Sequence, residues 1–216
     1  MKYLVLVILV ACGSSSPKKH EAPHQHHGGM PHRFENADQW AKVFDDPKRD
    51  SWQQPDRVIT ALELGPAMTV ADIGAGTGYF AVKIAPLVKE VIATDVEHDM
   101  VRYIEDRATR EGIKNIRARH TPPDDPLITK VDRVLVVDVW HHLGDRRAYA
   151  KKLATALNPG GFVAVVDFKL DATMGPPKQH RLAPEEIIAD LAAAGLDAKV
   201  ALELTEQYVV IARKTQ

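Results

Sequence analysis

From residue 34 onward the chain alternates between two spacings of apolar side chains. Trp40, Val43 and Phe44, then Val58, Ile59 and Leu62, recur at helical intervals, which predicts helices over 37–44 and 55–64, with Pro55 suited to a first helical turn. The segments 68–73, 91–94, 116–120, 131–137 and 162–166 are instead short runs rich in Val and Ile. Runs without polar alternation predict strands buried on both faces. Helical patterns over 79–88, 100–111 and 147–157 lie between them, the last closed by Asn158-Pro159-Gly160-Gly161. Such alternation predicts an α/β fold, a parallel sheet with helices on both sides. The end differs. A helix over 184–194 precedes apolar runs at 198–204 and 207–212 that only Thr205-Glu206 separates, so they form a hairpin and one strand is antiparallel. No internal repeat is present.

Before residue 34 the pattern changes. Met1-Lys2 is a minimal positive start, and the apolar run 3–11 is far shorter than the roughly 20 residues of a membrane span. Leu9-Val10-Ala11-Cys12 resembles a bacterial lipobox, in which a cysteine is lipidated and becomes the mature N-terminus; a first β-strand, or a chance apolar stretch added by a misassigned start codon, is the alternative. The expected organisation is a signal peptide at 1–11, a His-rich flexible tether at 12–35, and one folded domain at 36–216 whose opening 36–65 is helical. The tether has almost no apolar side chains with which to repay the entropy of folding. Five of the ten histidines fall in it, and His24, His26 and His27 are weak metal candidates without a fixed ligand spacing, so no structural metal site is expected.

Composition narrows the function. Of the 216 residues 45% are hydrophobic and 26% charged, the balance of a chain with a sizeable core. Twenty-eight Lys and Arg against 29 Asp and Glu, with no basic cluster, leave out the electrostatic footprint of a nucleic-acid binder. Cys12, the single cysteine, excludes an intrachain disulfide, a cysteine zinc site and a cysteine nucleophile in the fold.

The stretch Val70-Ala71-Asp72-Ile73-Gly74-Ala75-Gly76-Thr77-Gly78-Tyr79-Phe80 runs from strand through glycine-rich turn into helix, an arrangement that lets a ligand approach backbone N–H groups. Its glycines are spaced G-x-G-x-G rather than G-x-G-x-x-G, and Asp72 precedes them. A carboxylate there repels a pyrophosphate and attracts an ammonium or sulfonium. On these residues the chain resembles the class I S-adenosylmethionine-dependent methyltransferases, over about 55–213. The resemblance implies a Rossmann-like αβα sandwich whose seven-stranded, mostly parallel sheet runs 3-2-1-4-5-7-6, with S-adenosylmethionine as cofactor. It places Asp72, Gly74, Ala75, Gly76, Thr77 and Gly78 at the cofactor. Asp95, 17 residues past Gly78 at the end of the next strand, is positioned to accept both ribose hydroxyls, with Val96 beside it. A helix cap is its bland alternative, a task that Asp99 suits. Asp124 and Asp125 fall in the loop where related enzymes bind the adenine amine, and an exposed turn acid is the other reading of each.

After the fourth strand comes Asp138-Val139-Trp140-His141-His142, at the crevice where open α/β sheets bind ligands; Asp138 is a further cofactor candidate. The pattern looks like small-molecule methyltransferases with a His-His pair and departs from the Asn/Asp-Pro-Pro-Tyr motif of those acting on adenine or amide nitrogens. His141 or His142 is a candidate general base, against packing or capping of the loop. Alternation along an extended segment puts Val139 and His141 on one side and favours His141. The loop before the last helix resembles the acceptor-side loop of quinone-biosynthesis methyltransferases and offers His180. Trp40 and Trp52 in the opening segment either lid the site or pack on the core. The expected function is methyl transfer to a small molecule, quinol- or phenol-like, without nucleic acid. A lipid anchor at Cys12 places the protein at the cell envelope, a cytosolic location following if the signal does not act. Because S-adenosylmethionine is made in the cytosol, the competing function is a tethered ligand- or metal-binding lipoprotein without turnover.

Overall fold

The computed structural model describes residues 36–214. The signal at 1–11, the lipidation site Cys12 and the tether at 12–35 with His24, His26 and His27 lie outside the described residues.

Three helices open the chain: α1 (Ala37–Phe44), α2 (Arg49–Gln53) and α3 (Pro55–Ala61). The body then alternates β1 (Thr69–Ile73), α4 (Tyr79–Ile84), β2 (Glu90–Asp95), α5 (His98–Arg110), β3 (Ile116–His120), β4 (Val131–Val137), α6 (Arg146–Ala156), β5 (Leu157–Phe168), α7 (Pro184–Ala192), β6 (Leu196–Glu203) and β7 (Gln207–Lys214). The seven strands form one sheet in the order β3-β2-β1-β4-β5-β7-β6. All pairs from β3 to β5 are parallel, whereas β7 runs antiparallel to both β5 and β6.

The Val-rich runs are strands because both their faces are covered. On β4, Leu135 and Val137 pack with Val58, Phe80, Ile84 and Ile104 in one core. Val134 and Val136 point the other way, against Trp140, Leu153, Ile187 and Leu191 in a second core. Each side chain of such a strand is removed from water, worth roughly 1.5–3 kcal/mol for a Val or Leu, and a one-residue slip would exchange the two faces.

Several boundaries differ from the periodicity. The helix at 79–88 stops at Ile84 and continues as a 3₁₀ turn over Ala85–Leu87, where Pro86 cannot extend an α-helix. Leu157, which reads as the end of the helix, and 158–161, which read as its closing turn, already belong to β5: Leu157 pairs with Val131, and an irregularity at Val131/Arg133 restores the register at Phe162. Asp99 is not the cap of α5. Glu97 holds that position and Asp99 lies in the first turn.

Candidate active site

Four acids stand at or beside the carboxyl ends of four neighbouring strands: Asp95 on β2, Asp72 on β1, Asp138 after β4 and Asp167 on β5. The glycine loop rises from the middle of this row. Gly74, Gly76 and Gly78 all have positive φ (65°, 56° and 78°), a conformation that costs an L-residue with a side chain roughly 1–2 kcal/mol. A Cβ at Gly74 would stand 2.4 Å from Cγ2 of Val139, so the loop and the turn after β4 touch across the crevice. Ala75 ties the loop to β2 through its N–H to Thr94 O (2.9 Å), and Thr77 is buried with its hydroxyl donating to Asp45 Oδ1 (3.0 Å).

Asp95 accepts from Gly76 N–H at Oδ2 (2.8 Å) and from Glu97 N–H at Oδ1 (2.9 Å). The carboxylate therefore fixes the glycine loop and caps the entry to α5 at once. Each oxygen keeps a lone pair for a hydroxyl donor. Burial raises its pKa, with backbone hydrogen bonds from Glu97, Gly76 and Val96 opposing. Val96, beside it, is 47% exposed. Asp124 and Asp125 lie in the loop after β3, where Asp125 accepts from Leu127 N–H (2.9 Å) and pairs with Lys152 (3.0 Å), and the Asp124 carbonyl also accepts from Lys152. Their described contacts join them to α6 rather than to the glycine loop.

Asp72 is 3% exposed and its Oδ2 has no hydrogen-bond partner. Burial pushes its carboxyl up to about 7, helped by the charge of Asp95 and opposed by Arg49. Among the described residues the other buried side-chain polar atom without a partner is Thr94 Oγ1, next to Asp95. A buried acceptor left unmade costs about 1–3 kcal/mol, more for a charged group, so a carboxyl oxygen without a partner beside three glycines of positive φ marks a place suited to a cationic ligand. Both the Asp95 acceptors and this orphan fit a ribose and a sulfonium or ammonium.

The segment after β4 is not extended. Asp138 has φ 60°, and Trp140–His142 form a 3₁₀ turn, so the alternation argument for His141 does not apply. His141 nonetheless points inward. Its side chain is 3% exposed, and Nδ1 lies 2.9 and 3.0 Å from the two oxygens of the fully buried Asp167. Burial alone would lower the pKa of His141, but the Asp167 hydrogen bond and charge, with Asp138, raise it. His142 lies against it, ring centroids 4.2 Å apart. His180 is farther along the chain in a 3₁₀ turn, its N–H closing on Pro177 O (2.8 Å). Asp138 keeps 25% of its side chain accessible while facing Arg49 at 3.8 Å and accepting from Gln207 Nε2, as befits a group lining a crevice. Its surroundings push its carboxyl up to about 7, burial first.

The opening helices close over this row. Phe44, stacked on Trp40 with centroids 5.5 Å apart, lies 3.5 Å from where a Gly76 Cβ would be. Asp45 binds Thr77 and also Arg107 (2.9 Å), Asp50 accepts from the Tyr79 hydroxyl, and Gln53 donates to Gln207. Trp52 packs on Phe168, centroids 5.8 Å apart. Asp167, Arg49, Gln53 and Gln207 escaped the sequence reading. Asp167 had a signal, since it ends the apolar β5 as Asp95 ends β2; the others join the site only through contacts remote in sequence.

Residues 71–163 match a family profile described as a methyltransferase domain. A tRNA 5-carboxymethoxyuridine methyltransferase of Escherichia coli (strain K12) is 28% identical over 165 residues, 73% of this chain and 59% of that protein. An uncharacterized methyltransferase, YcgJ, of Bacillus subtilis is 33% identical over 116 residues, 51% of this chain and 44% of that one. The chain thus spans about half the length of the curated relatives it matches. Among solved structures, a SAM-dependent methyltransferase from Aquifex aeolicus superposes with a TM-score of 0.76 at 23% identity, covering 83% of this chain and 99% of that one, a likeness of fold.

Proposed function

We propose that the chain, whose residues 71–163 match a methyltransferase-domain profile, is a class I S-adenosylmethionine-dependent methyltransferase that methylates a small-molecule acceptor at the crevice between the glycine loop and the turn after β4. The observation that carries this reading is the His141–Asp167 pair, a buried histidine held by a carboxylate beside a glycine loop. When bound, the cofactor supplies a methyl group made labile by its sulfonium. Gly74 to Gly78 and Asp95 would hold its nucleoside, with Asp72 and Asp138 facing its cationic end. Asp167 accepts a hydrogen bond from Nδ1–H of His141, which leaves the Nε2 lone pair to receive a proton from the acceptor. A mild base suffices, since alignment of the reacting groups and exclusion of water do most of the work in such a transfer. Trp52, half-buried on Phe168 and beside Arg49, brings a flat aromatic surface to the carboxyl end of β5, which suits a planar acceptor such as a phenol or quinol. A net charge of −1 without a basic cluster favours a small acceptor over RNA, the substrate named for the E. coli relative.

The test is a screen of phenols, quinols, amines and total RNA with methyl-labelled cofactor. Label is expected in a phenol or quinol, and His141→Ala is expected to slow its transfer about 100- to 10,000-fold with cofactor affinity nearly unchanged. Label in RNA alone, or an unaltered rate in His141→Ala, contradicts the proposal.

A further inference from the structure

Arg49 enters the site from α2, and its surroundings are unusual for a structural arginine. Its Nε donates to Gln53 Oε1 (3.0 Å) and Nη1 to the Phe44 carbonyl (2.9 Å). The guanidinium lies over the Tyr79 ring (4.3 Å to the centroid) and within 5.8 Å of the Trp52 centroid. Its Nη2 faces Asp138 at 3.8 Å, too long for a hydrogen bond. The same cation acts electrostatically on Asp72, whose Oδ2 is the buried carboxyl oxygen without a partner. Only 13% of the arginine side chain is exposed.

The charges in this corner do not balance by themselves. One guanidinium with an unfilled donor edge confronts two carboxyl groups, one of them orphaned, and none forms a direct hydrogen bond with another. An amino-acid end group, an ammonium and a carboxylate on one carbon, supplies both missing partners: the ammonium for Asp72 and Asp138, the carboxylate for the planar fork of Arg49. We propose that Arg49 is the clamp for the α-carboxylate of the cofactor's methionine end, so that the opening helices form part of the cofactor site. This rests on the methyltransferase reading above. Tyr79 and Trp52 hold the guanidinium plane while Gln53 takes the Nε hydrogen and the Phe44 carbonyl one Nη1 hydrogen, which leaves the other Nη1 hydrogen and Nη2 for recognition.

Ligands that differ only in this end group decide the matter. Calorimetric titrations on the full chain compare S-adenosylhomocysteine, which has ammonium and carboxylate; decarboxylated S-adenosylmethionine, which has only the ammonium; and 5′-methylthioadenosine, which has neither. Arg49→Gln is expected to weaken S-adenosylhomocysteine roughly 10- to 100-fold, the worth of a lost bidentate charged hydrogen bond. The other two ligands are expected to stay within about twofold, which also shows that the variant is folded. Arg49→Lys, which keeps the charge and loses the fork, is expected to fall between. Equal losses for all three ligands, or none for S-adenosylhomocysteine, overturn the clamp while leaving the nucleoside site standing. Failure of the unaltered protein to bind any of the three overturns the clamp and the methyltransferase reading together.

Discussion

At Gly74 the backbone does what a side chain would forbid. Its φ of 65° and the 2.4 Å from a built Cβ to Val139 combine conformational strain with overpacking. Gly74→Ala should cost about 1–2 kcal/mol for the backbone and a further 1–3 for the clash. Val139→Ala on top of it should recover the second share, and thermal unfolding of the single and double variants measures both. No recovery would mean that the two residues do not touch. Asp72 and Asp138 test the site differently. Both hold their protons to about pH 7 when folded and ionise near 4 when unfolded. Between those values the folded state binds more protons, so stability falls as pH rises through the window. His141, raised by Asp167 and Asp138 against its burial, adds in the same direction, its share being lost as pH rises through its folded pKa. Arg49 and Asp95 face Asp72, and Arg49, Asp167 and Gln207 face Asp138; they set the size of the effect rather than its sign. The unfolding midpoint of the cofactor-free protein should drop between about pH 5 and pH 8, less steeply in Asp72→Asn. A midpoint that climbs over that range contradicts the assignment.

Among the elements, those buried on both faces were legible in the sequence and those held by tertiary contacts were not. The run at 131–137 announces β4 because its neighbours on the sheet and two helical layers leave no room for a polar residue among Val134 to Val137. The first residues of β5 were not legible, since Pro159-Gly160-Gly161 reads as a turn and only the pairing of Leu157 with Val131 makes a strand of the segment. Helix α2, at five residues, is too short for an apolar period, so Arg49 and Gln53 gave no signal. At the site, the motif from Asp72 to Gly78 and Asp95 was readable from local spacing. Asp167 needed the register of β5, and the Asp138–Gln207–Gln53 chain needed the hairpin to fold back beside β5. If α1 and α2 belong to the cofactor site, cofactor must hold them closed. Amide hydrogen exchange across 37–53 should slow on adding S-adenosylhomocysteine, while α6, packed on the opposite face, changes little. Unchanged exchange in 37–53 would leave these helices as mere packing.

The whole molecule joins this domain to a segment of different composition. No helix among the described residues is long and apolar enough to cross a membrane. We propose that attachment, where it occurs, comes through a lipid on Cys12: a single acyl chain anchors marginally, and a diacylglyceryl group supplies the second chain. Membrane fractions should then hold the unaltered protein but not Cys12→Ser; equal solubility with Met1 retained contradicts it. The fold itself, a row of acids along the carboxyl ends of β2, β1, β4 and β5, does not depend on that outcome. The most direct measurement of its purpose is equilibrium titration of the full chain, and of Asp95→Ala, with S-adenosylmethionine and NAD. Binding of S-adenosylmethionine at about micromolar concentration, weakened at least about tenfold in Asp95→Ala by the loss of ribose hydrogen bonds, is the expected result. Tighter binding of NAD, or an Asp95→Ala variant that binds S-adenosylmethionine as well as the unaltered protein does, would contradict it.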